Sequence, residues 1–402
     1  QLYSGEDTNG AWSGPLVASG SEYVSSFAMT MRGYQSYISM SRLNTTYQIF
    51  EVWYNATSGG IWQTPEEVNS SWCSTKTAIA VDGSGTPHIV VAERAEDSYG
   101  QLLGWIIFMA DRKGGTWSYP TYENLLLGDL YSASPYEAVS MRFSAADNTM
   151  IVALQLPTSD PLYNDLTVVT WLTGTDVVGA SYDVQKNVYG DFYPAIATPA
   201  NVTQFKAGVV YLSTNTLAYE YLTGSPAAWN ESRSPVEPSS DRGDCNVLKI
   251  DNNGNYHLLY HREDNGALYY KYTNSLGWTD AISVTGVGEG TLCSWMSRPS
   301  MELLSDGTPV VSYVNSSYQL KYAERACGRP CTFTRDLVDS GLSDGSTALA
   351  ISSTNKPSIL YHKNNKLRFT YWNTFWFAKS VDDSLGSYGP ISMAVDNDGK
   401  LH

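Results

Sequence analysis

Three observations in the sequence predict an all-β protein, a single β-propeller of four-stranded blades. First, one unit recurs along the 402 residues. It runs as a short apolar strand, an Asp/Asn/Gly turn, a second apolar strand, a polar loop, a Leu-x-Tyr-like strand, a Gly-rich turn, and an aromatic residue opening a fourth strand. Second, the units begin near residues 26, 74, 135, 192, 243, 294 and 344, with the closing unit near 387, a spacing of about 43 to 61 residues that suits four short strands each. Third, charged residues are only 16% while Tyr reaches 29 and Trp 12, a composition that favours strands and turns over helices. A two-sheet sandwich would not repeat its turn chemistry so regularly.

The turn between strands one and two is the clearest element. It reads Val81-Asp-Gly-Ser-Gly-Thr-Pro-His88, Ile250-Asp-Asn-Asn-Gly-Asn-Tyr-His257, Ser305-Asp-Gly-Thr-Pro309 and Val395-Asp-Asn-Asp-Gly-Lys-Leu-His402. Asp, Asn and Gly supply the positive φ that a tight hairpin needs. Strand three reads Leu268-Tyr-Tyr-Lys-Tyr272, Leu320-Lys-Tyr-Ala323 and Leu367-Arg-Phe-Thr-Tyr371. Strand four opens at Trp12, Trp62, Trp117, Trp229, Trp278, Phe333 and Trp376. These flat side chains are expected to fill the wedge between neighbouring blades rather than form a ring of sugar platforms.

The two ends complement each other. Residues 1–20 contain strand-three and strand-four signals, and residues 387–402 read as strand one with the start of strand two. They are expected to build one composite closing blade, the eighth, within a single domain spanning 1–402; seven blades is the alternative, because the third and fourth units are degenerate. The two ends fall short of a full blade by about ten to fourteen residues. A longer natural chain, or strands from a neighbouring copy, would complete it.

Net charge is −15, with a pI near 4.7, which argues against nucleic acid and anionic membrane surfaces as partners. The longest apolar run, Leu102 to Ala110, is too short for a membrane helix and reads as a buried strand. The Asp-x-x-Gly turns lack the late bidentate carboxylate of a calcium loop, and no His or Cys spacing suits a metal, so neither metal nor cofactor is expected. His88, His257 and His402 share one repeat position, which favours a packing role. His261 and His362 are less constrained.

Loops before strand one and after strand two fall on one face of a propeller. That face collects Trp72, Arg94, Asp97, Arg242, Arg262, Glu263 and Trp295, the candidate ligand-binding residues, since aromatics beside Arg and carboxylates suit a polar, carbon-faced ligand such as a sugar. The alternative is a rim of self-paired charges. Of five cysteines, Cys327 and Cys331 enclose Gly-Arg-Pro and are expected to form a disulfide; a Cys245–Cys293 disulfide would tie adjacent blades, leaving Cys73 unpaired or linked to another molecule. Sequons occur at Asn44, Asn55, Asn69, Asn201, Asn230 and Asn315. With the cysteines they point to a secreted glycoprotein.

The stretch Thr77-Ala-Ile-Ala-Val-Asp-Gly-Ser-Gly-Thr-Pro-His-Ile-Val-Val91 resembles the repeats of sialidase-like propellers of the bacterial neuraminidase type. The likeness is one of fold. Sialidases carry Ser-x-Asp-x-Gly-x-x-Trp boxes, and the nearest match, Asp111-Arg-Lys-Gly-Gly-Thr-Trp117, lacks the Ser and displaces the Gly. Their arginine triad and Tyr/Glu nucleophile pair are not assignable from these residues, and related propellers include polysaccharide lyases and fucose-type lectins.

The expected function is a secreted, non-catalytic binding or assembly module whose partners are glycans or copies of itself. The alternative is a glycoside hydrolase or polysaccharide lyase acting on an acidic glycan. Glu263 with Asp97 or Asp241 would then serve as acid and base, and Arg94, Arg242 and Arg262 would grip the substrate.

Overall fold

The computed structural model describes residues 2–3, 6–8, 11–13, 16–18, 23–59, 61–71, 75–96, 102–119, 138–144, 148–157, 163–172, 177–189, 195–197, 206–213, 216–225, 228–236, 243–293, 297–327, 330–382, 391–395 and 401–402. Among them every regular element is a strand. Five four-stranded and two five-stranded sheets follow one another in chain order, each an antiparallel meander. They span residues 23–71, 75–118, 138–189, 195–235, 243–283, 300–340 and 347–382, and are called here the first to seventh blades. Each lies close to a unit expected from the repeat.

The chain divides into two compact units, Gln1–Thr214 with Tyr219–Ser234, and Asn215–Ala218 with Pro235–His402. In the first unit, the opening strand of the second blade, Thr75–Val81, lies against the opening strands of the first and third, Tyr23–Arg32 and Ala138–Ser144. In the second unit, Ser300–Leu303 lies between Gly243–Ile250 and Thr347–Ile351. Opening strands that neighbour each other while later strands run outward define the β-propeller. At the N-terminus, Leu2–Tyr3 pairs with Leu16–Ala18 and Glu6–Thr8 with Ala11–Ser13; at the C-terminus Val395 bridges Leu401.

The repeated turn locks itself from inside. In the second blade, Asp82 Oδ1 accepts hydrogen bonds from the Ser84 and Thr86 backbone N–H groups at 2.8 and 2.9 Å. Its Oδ2 lies 3.2 Å from His88 Nε2, and His88 Nδ1 lies 2.6 Å from Asp111. The fifth blade repeats this. Asp251 Oδ1 takes the Asn253 and Asn255 N–H groups, Oδ2 lies 3.4 Å from His257 Nε2, and His257 Nδ1 meets the Tyr270 hydroxyl at 2.7 Å. Gly85 (φ 92°) and Gly254 (φ 81°) occupy the left-handed positions these turns require. The two histidines are therefore structural, as their shared repeat position implies. The Asp carboxylates serve their own turns.

Between blades, the strand-four aromatics pack as expected. Trp117 meets Tyr54 of the preceding blade edge-on at 5.0 Å, Phe333 meets Tyr270 at 5.6 Å, and Trp376 meets Tyr322 at 5.2 Å. All three tyrosines hold the same place in strand three, opposite Ser39, Leu259 and Ser312 of strand two. Such a pair adds about 0.5–1.5 kcal/mol beyond the area it buries. Nearer the opening strands, Thr77 Oγ1 donates to Ser39 Oγ at 3.0 Å, and Ser312 Oγ to Thr347 Oγ1 at 2.9 Å, again at matching register. These buried hydroxyls satisfy each other across the blade interface.

A bulge between Asp244 and Val247 puts Cys245 at φ 54°, and its sulfur is bonded to Cys293, linking the fifth blade to the segment that enters the sixth. Cys327 and Cys331, the other expected pair, are free thiols placed as partners across a hairpin with their sulfurs 2.8 Å apart. Two sequons also fit poorly with glycosylation. Asn55 and Asn315 are 2% and 5% exposed, and Asn315 Nδ2 donates to Glu289 and Gln319, so a glycan on either has no way out of this fold. Asn44 is half-buried and donates to Glu51, and Asn69 is half-buried; Asn201 lies outside the described residues, as does the side chain of Asn230.

Candidate functional site

The fifth and sixth blades are separated at their outer strands by an open groove of about 780 Å³, all of it within the second unit. Tyr272 and the segment 279–283 form one wall; Arg325, Phe333 and Arg335, with Cys331 at the hairpin, form the other. Strand three of the sixth blade, Gln319–Cys327, places Arg325 opposite Phe333 in strand four. Alternation along that strand puts Arg325 on the face of Ala323, which packs with Tyr270 and Phe333, and Leu320 on the opposite face.

The guanidinium of Arg325 stacks over Tyr272, 4.4 Å from the ring centroid, and lies 5.6 Å from the Tyr270 ring. One of its Nη groups donates to Cys331 Sγ at 3.6 Å, and its Nε is buried with no hydrogen-bond partner. Among the described residues no carboxylate pairs with it. Arg335, on the same wall, spends Nε and Nη2 on the backbone carbonyls of Val284 and Thr285, at 2.6 and 2.9 Å. Thr279, Ser283 and Thr332 add hydroxyls, and among the described residues Asp280 is the single carboxylate of the lining. Two guanidiniums against one carboxylate make the groove a positive place on a chain of net charge −15.

The lone arginine has a physical cause that the register makes visible. The first and second blades carry the same arrangement with its carboxylate present. Arg112 stands opposite Trp117, as Arg325 stands opposite Phe333. There Glu66 accepts from Arg112 at 2.9 and 2.7 Å and from Trp117 Nε1 at 3.2 Å. Those bonds hold the Arg112 guanidinium above its ordinary pKa. Glu66 belongs to a fifth strand that pairs with strand three, opposite Tyr54; the corresponding strand of the fifth blade puts Ile282 opposite Tyr270. Where one interface has a glutamate the other has an isoleucine, so Arg325 faces the groove with its charge uncompensated. Such a guanidinium is a ready fork for a carboxylate or sulfate.

Of the candidate residues expected from sequence, the side chains of only Arg262 and Glu263 are described, and neither lines this groove. Trp72, Asp97, Arg242 and Trp295 are outside the described residues, as is Asp241, and of Arg94 only the backbone is described, paired with Trp105. Arg262 lies over Tyr269 at 5.0 Å, with Nη2 on Asp264 at 2.9 Å, so this loop carries the self-paired rim of charge that was the alternative reading. Glu263 beside it is exposed. Sequence reasoning missed Arg325 because nothing marks it out until strand three is aligned between blades. The fifth strands, Glu66–Ser71 and Ile282–Ser283, were not foreseen at all.

The class of protein is thus an all-β propeller with an arginine-lined groove between blades. No protein-family model matches the chain, and no curated protein matches it. Among solved structures it is similar to a fucose-specific lectin from Aleuria aurantia, at 11% identity and a TM-score of 0.43, covering 79% of this chain and 96% of that one. It is also similar to the NanB sialidase from Streptococcus pneumoniae, at 9% identity and a TM-score of 0.46, covering 92% of this chain and 70% of that one. A third is AofleA from Arthrobotrys oligospora, at 12% identity and a TM-score of 0.41, covering 79% and 86%. Likenesses this distant assign no activity.

Proposed function

We propose that this protein is an extracellular, non-catalytic glycan-binding propeller, and that the groove between its fifth and sixth blades takes an acidic sugar. The observation that carries the reading is Arg325, a stacked, half-buried guanidinium without a carboxylate in an open groove. A sugar acid offers the anionic fork that Arg325 lacks, and hydroxyls that suit Thr279, Ser283 and Thr332. Stacking on Tyr272 already fixes the guanidinium plane, which lowers the ordering cost of binding. Among the described residues the lining holds only Asp280 as a carboxylate, whereas general acid–base cleavage of a glycosidic bond calls for two. The Cys245–Cys293 disulfide supports an oxidising, extracellular location.

The test is calorimetric titration with galacturonate oligomers and sialyllactose, against lactose and dextran as neutral controls, with the products scored by mass spectrometry. Acidic ligands should bind, binding should weaken with salt, and Arg325→Gln should reduce affinity by about tenfold or more. Equal binding of neutral sugars, or an unaffected Arg325→Gln, would refute the assignment. Released fragments would overturn the non-catalytic part alone.

A further inference from the structure

The hairpin at the mouth of the groove carries chemistry that glycan binding does not use. Cys327 and Cys331 are cross-strand partners, and partner Cα atoms in an antiparallel pair stand about 4.5–5.5 Å apart, within disulfide range. Their sulfurs are already 2.8 Å apart, so bond formation needs no movement of the strands. The two thiols are not equivalent. Cys331 lines the groove and receives a hydrogen bond from Arg325 at 3.6 Å; Cys327 is exposed and does not line it.

We propose that Cys331 is a nucleophilic thiol that exchanges with small carboxylate-bearing disulfides of the glutathione type, with Cys327 as the resolving thiol. Cys331, having released its proton to solvent, attacks one sulfur of the disulfide R–S–S–R. The S–S bond breaks, and its electron pair leaves with R–S⁻, which takes up a proton. Cys327 then loses its proton and attacks the Cys331 sulfur of the mixed disulfide, expelling the second R–S⁻. Two protein thiols are oxidised to one disulfide, and one R–S–S–R is reduced to two R–SH.

The surroundings favour this order of events. The hydrogen bond shared with Cys327 and the Arg325 guanidinium hold the Cys331 thiol below its ordinary value, whereas burial and the partner sulfur push Cys327 up. The carboxylates of a glutathione-type disulfide would meet the two guanidiniums of the same groove. By contrast, Cys245–Cys293 joins separate segments, with Cys245 buried, and serves as an internal control. The inference stands whether or not the groove binds a glycan.

The experiment incubates the reduced full chain with oxidised glutathione and maps the products by peptide mass spectrometry. The unaltered protein should form the Cys327–Cys331 disulfide without accumulating an adduct. Cys327→Ser should trap one glutathione on Cys331, while in Cys331→Ser the adduct on Cys327 should form at least about tenfold more slowly. Arg325→Gln added to Cys327→Ser should slow trapping. Equal rates for the two single variants, no adduct on Cys331, or a native 327–331 disulfide that reduced glutathione leaves intact would each overturn the proposal. Iodoacetamide labelling of the unaltered protein gives the same answer without a substitution. Cys331 should be alkylated first and from a lower pH than Cys327, and simultaneous labelling would count against it.

Discussion

The interface between the first two blades and that between the fifth and sixth are built on one plan and differ at a few side chains. Both set an arginine late in strand three beside a strand-four aromatic that packs edge-on against a tyrosine of the preceding blade. At the first, Glu66 joins Arg112 and Trp117 into a closed polar cluster. At the second, Ile282 and Phe333 occupy those places and Arg325 is left to the groove. One interface satisfies its own charge, and the other leaves its guanidinium facing the groove.

The largest expected effect tests the shared plan. Phe333 is 3% exposed, and Phe333→Ala should lower unfolding free energy in urea by about 3–4 kcal/mol. A loss below about 1 kcal/mol would show that the edge-on contact with Tyr270 does not hold the blades together. Next is the substitution that makes the two interfaces alike. Ile282→Glu should supply Arg325 with an internal carboxylate, abolish binding of acidic sugars, and leave Tm unchanged or slightly higher. Retained binding would break the comparison.

The converse change is smaller. Glu66→Gln leaves Arg112 with a neutral partner, and because both side chains are about a third exposed, a cost of only about 0.5–1 kcal/mol is expected. It should also confer weak, salt-sensitive affinity for acidic sugars at the first interface, read in the same titration. The smallest effect concerns pH and both units alike. Burial opposes ionisation of Asp82 and Asp251, but hydrogen bonds from their own turns and histidines outweigh it and hold both carboxyls below their ordinary value. Their contribution is therefore complete above about pH 4 and is lost as pH falls through the lower folded-state values. His257, pushed below its ordinary value by burial, begins to withdraw stability earlier, as pH drops below about 6.5. Thermal melts from pH 7 to 3 should show a shallow decline followed by a steep one; flat Tm values across that range would contradict the turn geometry.

Most of the fold was legible in the sequence because its signals are local. Asp82 and His88 lie in one turn, Trp117 and Phe333 recur at fixed places, and alternation marks the strands. The Cys245–Cys293 link was legible too, since both cysteines precede their blade's core at the same point of the repeat. The groove was not. Arg325 owes its state to Ile282, which is distant in sequence and lies in a two-residue strand too short to leave a periodic signal. Cys327 and Cys331 were noticed as a pair, but their asymmetry depends on Arg325, which only the register brings alongside. The loops expected to carry the site show, at Arg262, a charge already answered by Asp264.

The self-locking turn of the second and fifth blades has a consequence for how such a chain can change. Each of these hairpins draws its order from a carboxylate, a few backbone amides and a histidine within its own blade. None of that order is borrowed from the connections at the opposite end. Those connections can lengthen, shorten or be replaced while the hairpin keeps its strands in step. A blade secured at one end gives evolution a free hand at the other.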